Sequence, residues 1–245
     1  MGFEHDEVDR FAKGSRFFRF DPRVKLACTI FFICVVAMLR DLTALYLALV
    51  FTMVLVEASG VPMRHMVSNF ILAFPFILFA FITMFLTSSL ENAVAICFRI
   101  SASVLALLLM VSTTPFFSTL KALRWYKVPE IVCNLLLFTY RFIFLLIDEM
   151  SRMRLARKAR GFTGGRNLLD LGAFKTISYT IGMVLVRSNV RATKIYDALL
   201  SRGYTGDMRT IDELRVRARD AGFAFLFIGF SCLLISMQLE AVHWT

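Results

Sequence analysis

The residues of this chain best equipped for chemistry come in two matched sets. Ala156-Arg157-Lys158-Ala159-Arg160-Gly161-Phe162-Thr163-Gly164 is answered, 42 residues on, by Ala198-Leu199-Leu200-Ser201-Arg202-Gly203-Tyr204-Thr205-Gly206. The shared pattern is Ala, two variable residues, a small residue, then Arg-Gly-aromatic-Thr-Gly. Arg carries a permanent charge on a planar fork of donors that Lys cannot copy, and it suits a carboxylate-lined groove. The aromatic beside it can fill an apolar pocket. Left-handed glycine caps, with the arginines easing the dipole of a last helical turn, explain either copy alone. They do not explain why aromatic-Thr-Gly follows both times. The pair therefore predicts docking to a partner with two equivalent sites.

Bond-making sets are missing from the sequence. His5, His65 and His243 stand singly, and Cys28, Cys34, Cys97, Cys133 and Cys232 form no C-x-x-C pair. All five cysteines fall in apolar runs and read as packing residues rather than disulfides or ligands. Gly164-Gly165 lacks the G-x-x-x-x-G-K-[ST] pattern of a phosphate loop. No metal site and no catalytic residue is expected.

The elements that position the motifs are those of a membrane protein. Hydrophobic residues make up 58% of the 245 positions, Phe alone counts 26, and the mean hydropathy is +0.68. A soluble fold of this length cannot bury so much apolar side chain. The formal charge of +10 is no nucleic-acid signature, because its basic residues alternate with apolar runs, as in chains oriented across a bilayer. The polar, acidic opening does not read as a signal peptide.

Asp21-Pro22 should open the first apolar helix, with Asp at the cap and Pro where its missing N–H costs nothing. Residues 24–39 and 42–56, broken by Arg40-Asp41, read as a hairpin of two spans, short against the ~20 residues of a full crossing. Further spans are expected at 70–86, kinkable at Pro75, and at 93–112, stopped by Thr113-Thr114-Pro115. A short aromatic helix follows, with Phe116, Phe117, Trp125 and Tyr126 at the membrane interface. Glu130 to Arg160 and Phe174 to Arg202 read as two long helices around a Gly-rich turn, capped by Gly161 and Gly203. Residues 221–239 form a last span.

Charge sets the topology. Residues 152–219 hold 15 of the 28 Lys and Arg, while loops 40–41 and 88–92 hold only Arg40. The positive-inside bias puts the basic block in the cytoplasm, so the two long helices dip against the membrane without crossing it. The prediction is an all-α integral membrane protein with about five transmembrane helices and a cytoplasmic domain of long crossing helices. Its parts are a cytoplasmic segment 1–23, a four-span domain 24–115, a cytoplasmic domain 116–219, and a final helix with an external tail, 220–245. A sixth span within 177–190 is the alternative, disfavoured by Lys175, Arg187, Arg191 and Lys194 at ~2.5–3.5 kcal/mol per central charge.

At this point the chain resembles a known family. Asp9-Arg10-Phe11, Phe20-Asp21-Pro22-Arg23-Val24-Lys25-Leu26, Thr113-Thr114-Pro115, Thr139-Tyr140-Arg141 and the two Arg-Gly motifs look like the transmembrane (T) component of energy-coupling factor (ECF) transporters. The Thr-Tyr-Arg, Asp148-Glu149-Met150 and Ala-Arg-Gly-Phe run is most similar to the cobalt/nickel, CbiQ-type branch. Ser201 departs mildly from the usual Ala before the second Arg. The resemblance implies a non-catalytic subunit in a prokaryotic plasma membrane, with its N-terminus cytoplasmic. It also implies that Ala159, Arg160, Gly161, Ser201, Arg202 and Gly203 are the coupling motifs for two ABC-type ATPases, with Phe162, Tyr204 and Arg141 as accessory contacts. ATP and Mg would sit on those partners. The transported metal would sit on a CbiM-like substrate-binding membrane subunit (S component), alongside which a small accessory membrane subunit is a further candidate partner. No cofactor is expected in this chain.

Weaker signals stay bland. Arg99 lies near enough to a span end to snorkel. Arg141, in an apolar run, needs a partner within the chain or outside it. Asp148 and Glu149 have the spacing for pairs with Arg152. Alternatives remain a T component for a vitamin importer, a stand-alone carrier, which would need a repeated or broken-helix core, and a membrane-embedded enzyme, which would need polar pairs within its spans.

Overall fold

The computed structural model describes residues 14–161, 171–204 and 218–243. Regular structure among them is entirely helical: one 3-10 turn, Arg16–Arg19, and the helices α1 (Pro22–Met38), α2 (Leu42–Ser59), α3 (Met63–Thr87), α4 (Leu90–Thr113), α5 (Phe116–Trp125), α6 (Glu130–Ala159), α7 (Leu171–Ser201) and α8 (Ala218–His243). The chain divides into two compact units. One comprises Val8–Tyr126 and Asp212–Thr245, the other Met1–Glu7 and Lys127–Ile211.

The first unit is a helical bundle with α4 at its hub, packed against α1, α2 and α3, while α8 packs on α1 and α2. Small residues on buried faces let the helices approach: Ala44 and Ala48 on α2, Ala102 and Ala106 on α4, each pair one turn apart. Aromatic rings fill the rest. Phe32 is fully buried and meets Phe51 and Phe227 at centroid distances of 5.8 and 5.9 Å, and Phe51 stacks on Phe230 at 3.9 Å. α3 buries only Met66 and Ile77 and turns Leu72, Phe76 and Phe79 outward, as a helix facing lipid can.

The sequence cue at Asp21-Pro22 is realised. The Asp21 carboxylate accepts the Arg23 N–H at 2.9 Å, and Pro22 takes the first helical position. Polar contacts then lace the helix ends. The Asp21 N–H donates to Asp220 Oδ1 on α8 at 2.8 Å, and Lys25 Nζ donates to the Thr113 carbonyl at the end of α4 at 3.1 Å. Asp220 and Lys25 are both buried. At the opposite end, Gln238 donates to the Met38 carbonyl at 3.4 Å, and Arg99 donates to the Leu39 carbonyl. Arg99 thus reaches an orphan carbonyl just beyond α1, because the end of a helix offers unpaired acceptors.

Among the described residues, five helices are long and apolar enough to cross a membrane: α2, α3, α4, α6 and, over Arg219–Gln238, α8. The count matches the sequence expectation, but the membership differs. α6 is among them through its apolar first half, and α1, with 17 residues, is a little shorter than the rest. α1 is nonetheless coextensive with the apolar stretch of α8, because Asp21 bonds to Asp220 at one end and Met38 to Gln238 at the other. Wherever α8 crosses, α1 crosses beside it.

The short aromatic helix joins this unit. α5 packs on α1, Arg23 lies 5.2 Å over the Trp125 ring, and the Tyr126 hydroxyl donates to the Arg23 carbonyl at 3.0 Å. The division between the two compact units falls after Tyr126.

Candidate docking site on two long helices

The second unit carries both Arg-Gly motifs. α6 ends at Ala159 and α7 at Ser201, each leading into its Arg-Gly pair, as the sequence predicts. α7 begins at Leu171, three residues before the expected Phe174, because Gly172 and Ala173 continue the helix instead of ending the Gly-rich turn.

The two ends are built alike. Gly161 has φ 82 and Gly203 φ 76, a left-handed conformation that side-chain-bearing residues resist. A Cβ on either glycine would meet nothing within 4 Å, so the backbone angle, not crowding, demands glycine. At the second end the Tyr204 N–H donates to Leu199 at 3.0 Å and the Gly203 N–H to Leu200 at 3.0 Å, the two nested bonds of a Schellman cap. At the first end the Gly161 N–H donates to Lys158 at 3.1 Å, the inner bond of the same cap. Phe162, Thr163, Gly164, Thr205 and Gly206 lie outside the described residues.

Ala159, Arg160, Ser201 and Arg202 are exposed, and Tyr204 is half-buried. The Ser201 hydroxyl donates back to the Asp197 and Ala198 carbonyls at 3.0 and 3.1 Å. Its polarity is absorbed by its own helix, so it presents the small surface that Ala presents in the first copy.

One carboxylate ties the helices together. Glu149 of α6 pairs with Arg187 of α7 and lies 3.9 Å from Arg191. This corrects the expected within-helix pairing with Arg152, since the carboxylate faces α7, where Arg187 meets one of its oxygens and Arg191 lies toward the other. Upstream of this contact α7 runs back along α6. A cavity of about 690 Å³ is lined by Phe138, Arg141, Phe142 and Asp148 of α6 and by Arg191 and Arg202 of α7, among others. A second cavity of about 620 Å³, largely apolar, includes Leu146, Leu185 and Val186. The helices are therefore antiparallel, and Arg202 shares a groove with Arg141 while Arg160 lines neither cavity. Arg141 and Arg160 are 19 residues apart on one helix, so the two Arg-Gly ends stand about 28 Å apart along α6 at 1.5 Å per residue.

Sequence reasoning singled out the arginines at the helix ends and Arg141, but it missed Asp220 and the Glu149–Arg187–Arg191 tie. Asp220 had a signal, a lone acid between a run of arginines and the last apolar stretch. The arrangement offers guanidinium groups, apolar rings and a pair of matched helix ends. Among the described residues, no three His, Cys, Asp or Glu side chains come together as a metal site would need.

The comparisons with known proteins agree on one family. The family model described as CbiQ, cobalt transport protein, matches residues 13–212. The chain is 33% identical over 121 residues to the cobalt transport protein CbiQ of Rhodobacter capsulatus, covering 49% of this chain and 48% of that protein, so the match spans about half the length of that relative. It is 29% identical over 244 residues to the energy-coupling factor transporter transmembrane protein EcfT of Lactococcus lactis, covering 89% and 91% of the two chains. It is also 30% identical over 157 residues to a fused cobalt transport protein CbiMQ of Methanocorpusculum labreanum, of which it covers 25%. With apolar helices fit to span a bilayer and a family match across most of its length, the chain is a multi-pass membrane protein of the CbiQ cobalt transport family, a transmembrane component of the ECF type.

Proposed function

We propose that this subunit couples ATP hydrolysis on two partner ATPases to movement of a separate substrate-binding membrane subunit, for uptake of cobalt or nickel ions. The observation that carries the reading is the pair of like-built Arg-Gly ends, Arg160-Gly161 and Arg202-Gly203, about 28 Å apart on an antiparallel helix pair. Two equal ends at such a separation suit a two-fold partner. Each Arg would enter an acidic groove of one ATPase, with Phe162 or Tyr204 beside it, and closure of the ATPases on ATP would draw the two ends together. Nucleotide and Mg belong to those partners, and the transported ion to the substrate subunit. The fused CbiMQ name of the Methanocorpusculum relative supports a CbiM-like subunit in that role.

The charge pattern supports a cytoplasmic N-terminus. If α6 crossed the bilayer alone between α4 and α8, the block 152–219 with 15 of 28 Lys and Arg would lie outside, against the positive-inside bias. With α1, α2, α3, α4 and α8 as the spans, that block stays inside and residues beyond α8 lie outside. In a cysteine-free background, a cysteine at position 165 should resist external labelling and one at 243 should accept it. The reverse pattern rules this topology out.

The deciding experiment is capture of the ATPases by Arg160→Glu, Arg202→Glu and the double variant at matched membrane expression. Each single change should weaken capture, and the double change should abolish it, since losing a buried charge contact at an interface costs about 2–5 kcal/mol. Capture by the double variant at the unmodified level would refute the docking assignment. The purified subunit alone should show no micromolar binding of cobalt or nickel.

A further inference from the structure

We infer that the turn between α1 and α2 is a binding site for an anionic phospholipid, with the headgroup at Arg40 and Arg99 and one acyl chain in the groove between α2 and α4. The turn is recessed. α1 and α2 have 17 and 18 residues, whereas α3 and α4 have 25 and 24. Lys25, near the start of α1, bonds to Thr113, the last residue of α4, so the two hairpins are level at that end. The excess of α4 over α1, 24 residues against 17, therefore stands about 10 Å proud at the other end, at 1.5 Å per residue. Arg99 agrees with this register: it is the tenth residue of α4, yet it reaches the Leu39 carbonyl at the end of α1. The overhanging tip is apolar, with Phe85, Leu86 and Leu90 at 51%, 78% and 61% exposed, and belongs against hydrocarbon. The turn with Arg40 and Asp41 then lies below the level where hydrocarbon begins. Charge at that depth is costly unless it is paired or a headgroup is drawn down to it.

The side chains around the turn match one class of headgroup. Arg40 is exposed on the turn. The Arg99 guanidinium is held against the carbonyl of the preceding residue, Leu39, and its Nε is buried with no hydrogen-bond partner among the described residues. Two forked cations at one turn suit a phosphate. Asp41 follows, with its Oδ2 buried and likewise without a partner among the described residues. An acceptor beside the arginines suits a headgroup that also carries hydroxyl donors. Two positive charges against one negative leave an excess of one, which phosphatidylglycerol neutralises and a zwitterionic lipid does not. From the turn, an apolar cavity of about 350 Å³ leads along the first turns of α2, lined by Leu42, Thr43, Tyr46 and Leu47 with Phe98 of α4. The Tyr46 and Phe98 rings stand 6.1 Å apart. The groove thus starts at the charged turn and runs toward the middle of the bundle, the direction an acyl chain takes from its headgroup. A free phosphate would leave it empty.

The test titrates the purified full subunit, stripped of lipid in detergent, with dioleoyl phosphatidylglycerol. Bound lipid is counted by native mass spectrometry, and the melting temperature is followed alongside. The lipid should bind and raise the melting temperature. Arg40→Gln should weaken binding about tenfold while leaving the lipid-free melting temperature unchanged, because Arg40 is exposed. Arg40→Lys, which keeps the charge without the fork, should lose less. Thr43→Phe fills the groove from an exposed position and should weaken binding by a similar factor with both arginines in place. Phosphatidylcholine and phosphatidylethanolamine should bind about tenfold more weakly than phosphatidylglycerol, and excess inorganic phosphate should not displace it. Arg64→Gln, at the other end of α3, is the control and should change nothing. Equal binding of the three lipids, equal loss in Arg64→Gln and Arg40→Gln, or displacement by phosphate alone overturns the inference. Unchanged affinity in Arg40→Gln or in Thr43→Phe does so as well.

Discussion

In the membrane unit, Phe32, Val36, Leu45 and Leu234 are sealed from solvent, and side chains bond one helix end to the next. In the other unit α6 buries Cys133, Asn134 and Tyr140, and α7 only Thr180 among its described residues. Phe174, Tyr179 and Leu185 of α7 are about 70% exposed. The membrane unit packs a sealed core between its helices, whereas α6 and α7 bury few of their described side chains. Low internal contact and exposed apolar surface are what a segment needs if it is to be covered by partners and to move with them.

Substitutions of matched size in the two units sharpen this contrast. Phe32→Ala removes a fully buried ring and should cost about 3–5 kcal/mol of unfolding free energy in detergent. Phe174→Ala, at a position 71% exposed, should leave the melting of the purified subunit unchanged. Similar losses from both would break the contrast. Next in size, Asp220→Ala leaves the buried Asp21 N–H without its acceptor and should cost about 1–3 kcal/mol, read by the same unfolding measurement.

At the helix ends, Gly161→Ala and Gly203→Ala force a side chain into the left-handed region and should each cost about 1–2 kcal/mol locally. Hydrogen exchange should quicken in the last turns of α6 and α7 while the membrane helices keep their protection. Gly182→Ala is the control, since it lies inside α7 with open space around it and should stabilise the helix by about 0.5–1 kcal/mol. Smallest is Glu149→Gln. Arg187 is 53% exposed, and exposed pairs contribute about 0.2–1 kcal/mol. A larger loss of thermal stability would mean that α6 and α7 are held together more firmly than their contacts suggest.

What could be read from the sequence follows the reach of each signal. Asp21-Pro22 and the glycines at 161 and 203 act within one turn, and each sits where local chemistry put it. The apolar runs announced their helices because hydropathy is also a local quantity. The partners of Arg99, Glu149 and Asp220 lie 60, 38 and 199 residues away, and periodicity within one helix carries no information about them. For the same reason Glu149 looked like a neighbour of Arg152 when its partners were across the gap on α7. The groove of Arg141 and Arg202 was half legible. Both residues stood out, one as a charge in an apolar run and one in a repeated motif, but only the antiparallel return of α7 brings them together.

The position of the Glu149–Arg187 tie has a mechanical consequence. If it serves as the pivot, Arg160 lies 11 residues away on α6 and Arg202 lies 15 away on α7, giving lever arms of about 16 and 22 Å at 1.5 Å per residue. A turn of roughly 10° at the pivot would then sweep the two tips through arcs of about 3 and 4 Å. The α7 tip travels farther for the same turn, so equal forces applied at the two tips would exert unequal torques about the tie.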